Sequence, residues 1–477
     1  IKRIVVPSET RLFFKYNNGA PHPVEERSDT HTAYTWTSDR AAAFIEDSNL
    51  PAWYDPYQNV QVTDFQTWEE VIAWSLEHFQ LSKDEKDALA RRIDQQWKSS
   101  DHKTLLEIIR FVQDEVRYLG FEAGLNSHKP HAPVKVFDQR FGDCKDKSLL
   151  LATILQQKGI AAYPVLVNTS KREHLHDELP SIHAFDHCVV EIELDNKKIY
   201  VDPTINNQGG GLNNIYFPNY GTGLVIRQGG TDLTGLPTFT SSGTHEQDNF
   251  KLNMLEREAT MSIRTTYRGG DADGQRSYFA SNSLESTQKA YVNFYGNLYP
   301  DLEAQGELKI TDDRDENIFI VEENYKVPSF WKDNPDVAGQ TYAEFYSLSI
   351  ENLVNVSKSS QRKSPYRLSF PTSFQHTLNV ALSPDWNITA EQKDIVGDGY
   401  KYRYEVSFIE GTLTIYHHYI TAKDHVPAKE VSKFVSDHQS IRNNLSYMIT
   451  YGGGEVSNAS GFGWAPITIG IISACRA

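Results

Sequence analysis

Cysteine is scarce in this sequence of 477 residues, which contains only Cys144, Cys188 and Cys475. Three cysteines so far apart provide neither a disulfide framework nor a cluster of zinc ligands. No run of lysine and arginine is longer than a pair, and the net charge is −16. A nucleic-acid-binding protein usually presents a basic face, so the sequence predicts no nucleic-acid partner.

Long apolar runs are lacking as well. No stretch reaches the roughly 20 apolar residues that a membrane-spanning helix needs. Residues 464–475 read WAPITIGIISAC, which is apolar and uncharged. This segment is interpreted either as a last strand or buried tail, or as the truncated start of a membrane helix that would associate the protein with a membrane.

Hydrophobic residues make up 39% of the chain and aromatic residues 12%, which predicts packed cores rather than disorder. The patterns indicate three regions. Residues 1–60 resemble the remnant of an N-terminal β domain, and residues 61–225 form a core in which a helix over 102–118 is predicted. Residues 226–477 are predicted to be β-rich, with a few helices near 275–298, 341–357 and 427–448.

The segment FGDCKDKSLLLATILQQKG, residues 141–159, predicts a buried helix with a cysteine at its start. Asp143 is a good N-cap, which places Cys144 in the first turn, and Gly159 is a natural residue to follow the helix. The apolar residues cover more than one face, so only the helix N-terminus can meet solvent. The helix dipole and the unpaired N–H groups there favour a thiolate and could hold an oxyanion.

The alternation that follows predicts a β-hairpin with a two-residue turn at Asp195-Asn196. This register places five apolar residues on one face: Val190, Ile192, Leu194, Ile199 and Val201. It also makes His187 and Asp202 diagonal neighbours on the opposite face, within reach of each other. A thiolate nucleophile needs a base and a group that orients the base, and this pair supplies both.

The two remaining cysteines are interpreted differently. Alternate residues of a strand point to the same face, so Cys188 lies on the core face with Val190, where it is predicted to serve packing. Cys475 lies in the apolar tail and is predicted to be inert.

The segments GDCKDKSLLLATILQQKGIAAYPVLV, DHCVVEIEL and IYVDPT, in this order, resemble the transglutaminase-like superfamily. The resemblance covers roughly residues 61–225. It implies an α+β fold, with a papain-like transglutaminase core flanked by an N-terminal β segment and a β-rich C-terminal region. The flanks are similar to those of bacterial multi-domain members, which implies a location in the periplasm or cell envelope.

The resemblance also implies a role for each site residue. Cys144 matches the nucleophile, His187 the general base and acid, and Asp202 the residue that orients the imidazole. Gln139, five residues before Cys144, is a candidate oxyanion donor, and a solvated loop glutamine is an equally good interpretation. Asp143 and Asp146 are interpreted as caps and helix-start charges rather than as catalysts.

The expected activity is cysteine-dependent acyl transfer on a peptide or protein substrate through a thioester, with hydrolysis by a peptidase or amidase favoured. A cross-linking transglutaminase and a non-catalytic scaffold that binds envelope components remain alternatives. No cofactor is predicted. No metal site is predicted either, because the histidines at 174, 176, 183 and 187 occur without an HExxH or CxxC motif. The oligomeric state cannot be predicted from the sequence.

Overall fold

The computed structural model describes residues 1–37, 47–120, 127–239, 242–356 and 362–452, together with the backbone of residues 457–460. Cys475 and the apolar segment 464–475 lie outside these residues. The chain divides into two compact units, Ile1–Phe239 and Thr240–Ala477. The predicted domain limits after residues 60 and 225 stay predictions. Among the described residues, no helix has both the length and the apolar character needed to cross a membrane.

Unit 1 combines short β-strands with five helices among its described residues. Its strands are β1 (Lys2–Pro7), β2 (Phe13–Asn17), β3 (Val24–Arg27), β4 (His31–Trp36), β5 (Asn59–Thr63), β6 (Arg117–Tyr118), β7 (Phe141–Gly142), β8 (Ala161–Val167), β9 (His187–Leu194), β10 (Lys197–Val201), β11 (Thr222–Val225) and β12 (Thr234–Gly235). Its helices are α1 (Trp68–Phe79), α2 (Lys83–Gln96), α3 (His102–Arg110), α4 (Pro133–Gln139) and α5 (Cys144–Gln157).

The core of unit 1 is built around α5 and an antiparallel sheet of order β10-β9-β8-β11-β12. Leu150, Leu151, Ile154 and Leu155 of α5 are fully buried. They belong to one apolar cluster with Val190, Ile192 and Val201 of the hairpin, which confirms the predicted core face. Because α5 is buried along most of its length, its first residue has a fixed position relative to β9 and β10.

Unit 2 contains the larger sheet. Its strands are β13 (Gly243–Asn253), β14 (Glu258–Arg268), β15 (Glu303–Ala304), β16 (Lys309–Asp313), β17 (Ile318–Val327), β18 (Lys332–Asp333), β19 (Gln340–Tyr346), β20 (Tyr366–Arg367), β21 (Thr372–Ala381), β22 (Glu391–Gly397), β23 (Tyr400–Ile409), β24 (Thr412–Thr421), β25 (His425–Val426), β26 (Ser446–Gly452) and β27 (Ser457–Ser460). Its helices are α6 (Gly270–Ser281), α7 (Leu284–Gly296), α8 (Leu348–Val354) and α9 (Val431–Arg442).

The main sheet of unit 2 joins two antiparallel halves. Its strand order is β15-β17-β14-β13-β21-β24-β23-β22, and β16 also pairs with β17. The halves meet where β13 pairs with β21 in parallel, whereas the neighbouring pairs are antiparallel. This β-rich unit, together with the mixed core of unit 1, confirms the predicted α+β class.

Several predicted helices have different limits in the structure. The helix predicted over 102–118 ends at Arg110 and continues as a π-helical turn, Phe111–Glu115. The buried Lys147 Nζ donates to the carbonyls of Gln113 and Val116 at this point, a tertiary contact that local periodicity does not reveal.

In the C-terminal region, the prediction of a helix over 341–357 is wrong for its first half. Residues 340–346 form β19, because they pair with β26 about a hundred residues later in the chain. The helix predicted over 275–298 is two helices, and Ser283 caps the second by accepting from Ser286 N. The helix predicted over 427–448 is confined to α9.

Candidate active site

The start of α5 is held by a reciprocal cap. Asp143 Oδ1 accepts from Asp146 N at 3.0 Å, and Asp146 Oδ2 accepts from Asp143 N at 3.2 Å. This capping box satisfies two donors at the helix start. It confirms Asp143 as N-cap and places Cys144 as the first helical residue, with 5% of its surface exposed.

Gly142, directly before the cap, leaves room for this arrangement. A Cβ atom at residue 142 would lie 2.7 Å from Asp146 Cβ and 3.2 Å from a methyl carbon of Val136. Any larger residue would therefore displace the carboxylate that completes the cap. The glycine of the FGDC segment is explained by this close approach.

Polar partners surround the cap even though it is buried. Lys145 Nζ donates to Asp143 Oδ2 at 2.6 Å, and both side chains are only 6% exposed. Burial raises the pKa of Asp143, while the hydrogen bond from Lys145 opposes that change. His131 contributes its backbone N–H and Nδ1 to Asp146, at 2.6 and 3.1 Å. These bonds fix the backbone at the residue that precedes Cys144.

The hairpin that carries the other two site residues has the predicted turn. Asp195 and Asn196 both have positive φ, 49° and 59°, as a two-residue type I′ turn requires. Leu194 pairs with Lys197, and Val190 pairs with Val201. Asp202 follows β10 directly and reaches His187 at the start of β9, with 2.8 Å between His187 Nε2 and Asp202 Oδ2.

His187 also lies beside Cys144, close enough for the sulfur to act on the pKa of the ring. Because Nε2 is bound to Asp202, Nδ1 is the ring nitrogen left to face the sulfur. Burial disfavours the charged ring, but the hydrogen bond to Asp202 and the interaction with Cys144 outweigh it and raise the pKa of His187 to about 10. The ring is therefore an imidazolium at neutral pH, next to the sulfur and held by a carboxylate.

Asp202 is almost completely buried, and both of its carboxylate oxygens accept hydrogen bonds. Its Oδ2 accepts from Tyr220 OH at 2.6 Å in addition to His187, and its Oδ1 accepts from the backbone N–H and hydroxyl of Thr204 at 2.8 and 2.7 Å. Burial alone would raise the pKa of Asp202, but the hydrogen bond and charge of His187 lower it overall. The carboxylate therefore stays ionised and can orient the imidazole.

The loop that contains Asp202 is held by Gln113, and Gln113 is held in turn by the buried Lys147. Gln113 Nε2 donates to the backbone carbonyl of Asp202 at 3.0 Å and to Gln208 Oε1 at 2.7 Å. Lys147 Nζ in turn donates to the carbonyl of Gln113 at 3.2 Å. Lys147 is fully buried, and this burial lowers its pKa to about 8 although the negative charges of Asp202 and Asp114 oppose the change.

Sequence reasoning missed these supporting residues. Tyr220 lies in a region with no strand or helix pattern, so its contact with Asp202 left no local signal. Thr204, two residues after Asp202, could have been found because Asp-x-Thr is typical of a side-chain-capped turn. Lys147 could also have been flagged, since a lysine inside an otherwise apolar helix requires buried partners.

Two further candidates lie near Cys144: Cys188 is close to it in space, and Gln139 is close to it in the chain. Cys188 is 1% exposed and packs with Cys144, Phe79 and Leu149, as predicted. Burial raises the pKa of the Cys188 thiol well above its ordinary value, so this thiol is unsuited to nucleophilic attack. Gln139 Nε2 donates to the carbonyl of Phe141 at 2.7 Å, and its role as an oxyanion donor stays a prediction.

The raised pKa of His187 leads to a testable pH dependence. The folded-state pKa lies above the ordinary 6.5, so the imidazolium stabilises the fold fully below about pH 6.5, and this contribution disappears as the pH rises through the folded-state pKa. That pKa is about 10 with Cys144 present and is lower once Cys144 is replaced, because Cys144 is one of the groups that raise it. We compare Cys144→Ala with Cys144→Ala/His187→Gln by urea unfolding, so that the two proteins differ only at residue 187. The stability difference should shrink with rising pH by at most about 1.4 kcal/mol per pH unit. Parallel pH profiles for the two proteins would contradict the role of the imidazolium.

Comparisons with known proteins agree with this geometry. A sequence model described as the transglutaminase-like superfamily matches residues 87–203, a range that contains Cys144, His187 and Asp202. No protein with a curated description matches the chain.

Two solved structures were compared with the chain. One, described as a "putative protease" from Parabacteroides distasonis, has a TM-score of 0.57 at 13% identity and covers 94% of this chain and 72% of its own. This likeness shows a shared fold. Another, a "putative cysteine protease" from Cytophaga hutchinsonii, has a TM-score of only 0.18 at 10% identity and covers 42% of this chain and 66% of its own, which is too low to bear on the fold. By its sequence match, the segment 87–203 of this chain is a domain of the transglutaminase-like superfamily.

Proposed function

We propose that this chain is a cysteine-dependent hydrolase of peptide or amide bonds that works through a thioester on Cys144. The observation that carries the proposal is that His187 lies beside Cys144 and is hydrogen-bonded to Asp202, with the sulfur at the N-terminus of a buried helix. A nucleophile, a base within hydrogen-bond reach and a group that orients the base are the elements that acyl transfer by cysteine requires.

The first half of the reaction forms the acyl-enzyme. The Cys144 thiolate attacks the carbonyl carbon of the substrate, and negative charge develops on the carbonyl oxygen. His187 then donates its Nδ1 proton to the leaving amine, the C–N bond breaks, and a thioester remains on Cys144. The pKa of His187 near 10 keeps this proton available at neutral pH.

The second half returns the enzyme to its starting state. The now neutral His187 takes a proton from water, which attacks the thioester carbonyl. The C–S bond breaks and releases a carboxylic acid and the Cys144 thiolate. Asp202 keeps the imidazole in one orientation through both halves, because its bonds to Thr204 and Tyr220 hold the carboxylate in place.

The developing oxyanion requires donors near the sulfur. The backbone N–H of Cys144 is at the first position of α5, where helix N–H groups have no acceptor within the helix. We assign this N–H to the oxyanion hole, with Gln139 as a second, side-chain donor. Gln139 Nε2 has two hydrogens, so its bond to Phe141 leaves one that a substrate oxygen could accept.

Alkylation provides a direct test of the nucleophile. At about pH 6, where a free thiol is nearly all protonated, iodoacetamide should label Cys144 at least about tenfold faster than it labels glutathione. Mass spectrometry of the tryptic peptides measures the labelling of Cys144 and of Cys188 in the same molecule. Cys188 is therefore an internal control that should remain unlabelled in the native protein. Labelling of Cys144 no faster than glutathione would overturn the ion-pair mechanism.

A pair of isosteric substitutions tests the role of Asp202. Asp202→Asn should lower kcat by a factor of about 10² to 10⁴, because an amide can no longer stabilise the imidazolium. The matched control is Asp195→Asn, which changes the same residue type in the exposed turn of the same hairpin. The control should retain activity within a factor of about two, and equal losses in the two variants would contradict an orienting role for Asp202.

The acyl acceptor is tested by the products. Peptide and amide libraries are incubated with the protein in ¹⁸O-labelled water, with and without an excess of a fluorescent primary amine. Hydrolysis places ¹⁸O in the new carboxylate, whereas cross-linking activity attaches the amine. Cys144→Ala should abolish both products. Amine attachment without hydrolysis would favour a transglutaminase, and the absence of both products together with slow alkylation would favour a binding or scaffold protein.

A further inference from the structure

A second cluster of chemistry-bearing side chains lies inside unit 2, away from any exposed surface. Glu246 and Asp248 come from β13, and His376 comes from β21. Their exposures are 1%, 3% and 1%. His376 Nε2 is 3.0 Å from Asp248 Oδ2 and 3.5 Å from Glu246 Oε1, and one ligand atom of each residue lies within 4.8 Å of the others.

The cluster occupies the line where the two halves of the main sheet meet. Glu246 is directly opposite His376 across the parallel pair β13–β21. On the far side of β21, His376 is directly opposite His417 of β24. Groups from three adjacent strands therefore project to one buried face at the junction of the two antiparallel halves.

Two acidic side chains and one histidine meet in this buried cluster. Two carboxylates in a buried site are costly unless an opposite charge neutralises them. A protonated His376 would supply one positive charge against two negative ones. Ser349 Oγ donates to Glu246 Oε1 at 2.7 Å, which adds a hydrogen bond but no charge. Glu323, which the strand registers place on the same face, is also buried and accepts a hydrogen bond from Tyr325 OH.

His417 provides an independent observation. Its side chain is completely buried, and within the described residues its Nε2 has no hydrogen-bond partner. Its Nδ1 is bound to Tyr402 OH at 2.8 Å, on the strand that lies on the opposite side from β21. The two nitrogens of an imidazole point in nearly opposite directions, so Nε2 faces back towards His376, whose ring centroid is 6.3 Å away.

We propose that unit 2 binds a divalent transition-metal ion, Zn²⁺ in the first instance, through Glu246, Asp248 and His376, whose ligand atoms already lie within 4.8 Å of one another. His417 Nε2 lies outside this group and becomes the fourth ligand when its ring moves towards the bound ion. Imidazole and carboxylate ligands together suit Zn²⁺, whereas Mg²⁺ and Ca²⁺ prefer oxygen alone. Tetrahedral bonds of about 2.0–2.1 Å place neighbouring ligand atoms roughly 3.3 Å apart. The separations of 3.0 and 3.5 Å around His376 Nε2 are close to this value.

The ion has a structural role in this proposal. Four protein ligands leave no open position for a substrate, as in structural zinc sites. The ion ties β13 to β21 and β24, and so holds together two halves of a sheet that are far apart in the sequence. No short sequence motif predicts this site, because Asp248 and His376 are 128 residues apart in the chain.

Metal analysis of the full chain tests the proposal. The Cys144→Ala variant is used as the parent, so that added Zn²⁺ cannot bind to the thiolate of the candidate active site. The parent is unfolded in urea with a chelator and refolded with or without Zn²⁺. We expect about one bound Zn²⁺ per chain by elemental mass spectrometry, and a melting temperature that is higher by several degrees when Zn²⁺ is present.

Two substitutions in the same unit serve as a matched pair. His376→Gln should lose the bound ion and the response to Zn²⁺. His438→Gln should keep both, because His438 is an equally buried histidine that bonds only to Phe434 O and Tyr419 OH among the described contacts.

If His376→Gln does not fold, the proposal can still be tested on the Cys144→Ala parent with Co²⁺. Refolding with Co²⁺ should produce the visible absorption of a tetrahedral site with nitrogen and oxygen ligands. The proposal is overturned if the parent binds less than about a tenth of an equivalent of Zn²⁺ and neither ion changes its melting temperature or gives a tetrahedral spectrum. The cluster is then an internal ion pair. This outcome is independent of the proposed hydrolase activity, because the parent lacks Cys144.

Discussion

The arrangement of the candidate site depends on the register of one hairpin. Side chains alternate between the two faces of a strand, so a shift of one residue would exchange every inward residue for an outward one. The two-residue turn at Asp195-Asn196 prevents such a shift, because both residues adopt positive φ and lock Leu194 opposite Lys197. With this register, Val190 and Val201 enter the core while His187 and Asp202 meet on the other face.

The hairpin alone does not define the candidate site, because the sulfur of Cys144 must also have a fixed position. The apolar body of α5 supplies this constraint by packing against β8 and β9. Its polar start would be unfavourable in the same interior without partners, and the pairs Asp143–Lys145 and Asp146–His131 provide them. The same principle accounts for Lys147, whose buried ammonium group holds the backbone of Gln113 and, through it, the loop of Asp202.

Both units thus contain buried charge, but they compensate for it differently. In unit 1 each carboxylate near Cys144 has a cationic or hydrogen-bonding partner within the chain. In unit 2 Glu246 and Asp248 converge on one histidine at the junction of the sheet. This cluster, together with the Nε2 of His417, which is unbonded within the described part of the chain, is the basis of the proposed metal ion. The first arrangement would orient the proposed nucleophile and base, whereas the second would hold together two halves of a sheet.

The sequence by itself determined the features that depend on local pattern: the cap at Asp143, the helix after Cys144, the turn at Asp195-Asn196 and the diagonal pair His187–Asp202. Each of these follows from residue preferences or alternation over fewer than about 20 residues. Only the tertiary structure decided the contact of Cys144 with His187, the bonds of Tyr220 and Gln113 to the Asp202 loop, and the meeting of Glu246 with His376. These contacts join residues that are far apart in the chain, and their formation depends on how the helices and sheets pack, which local periodicity does not encode. The same reason explains why residues 340–346 form a strand although their pattern predicted a helix, since their pairing partner lies in β26.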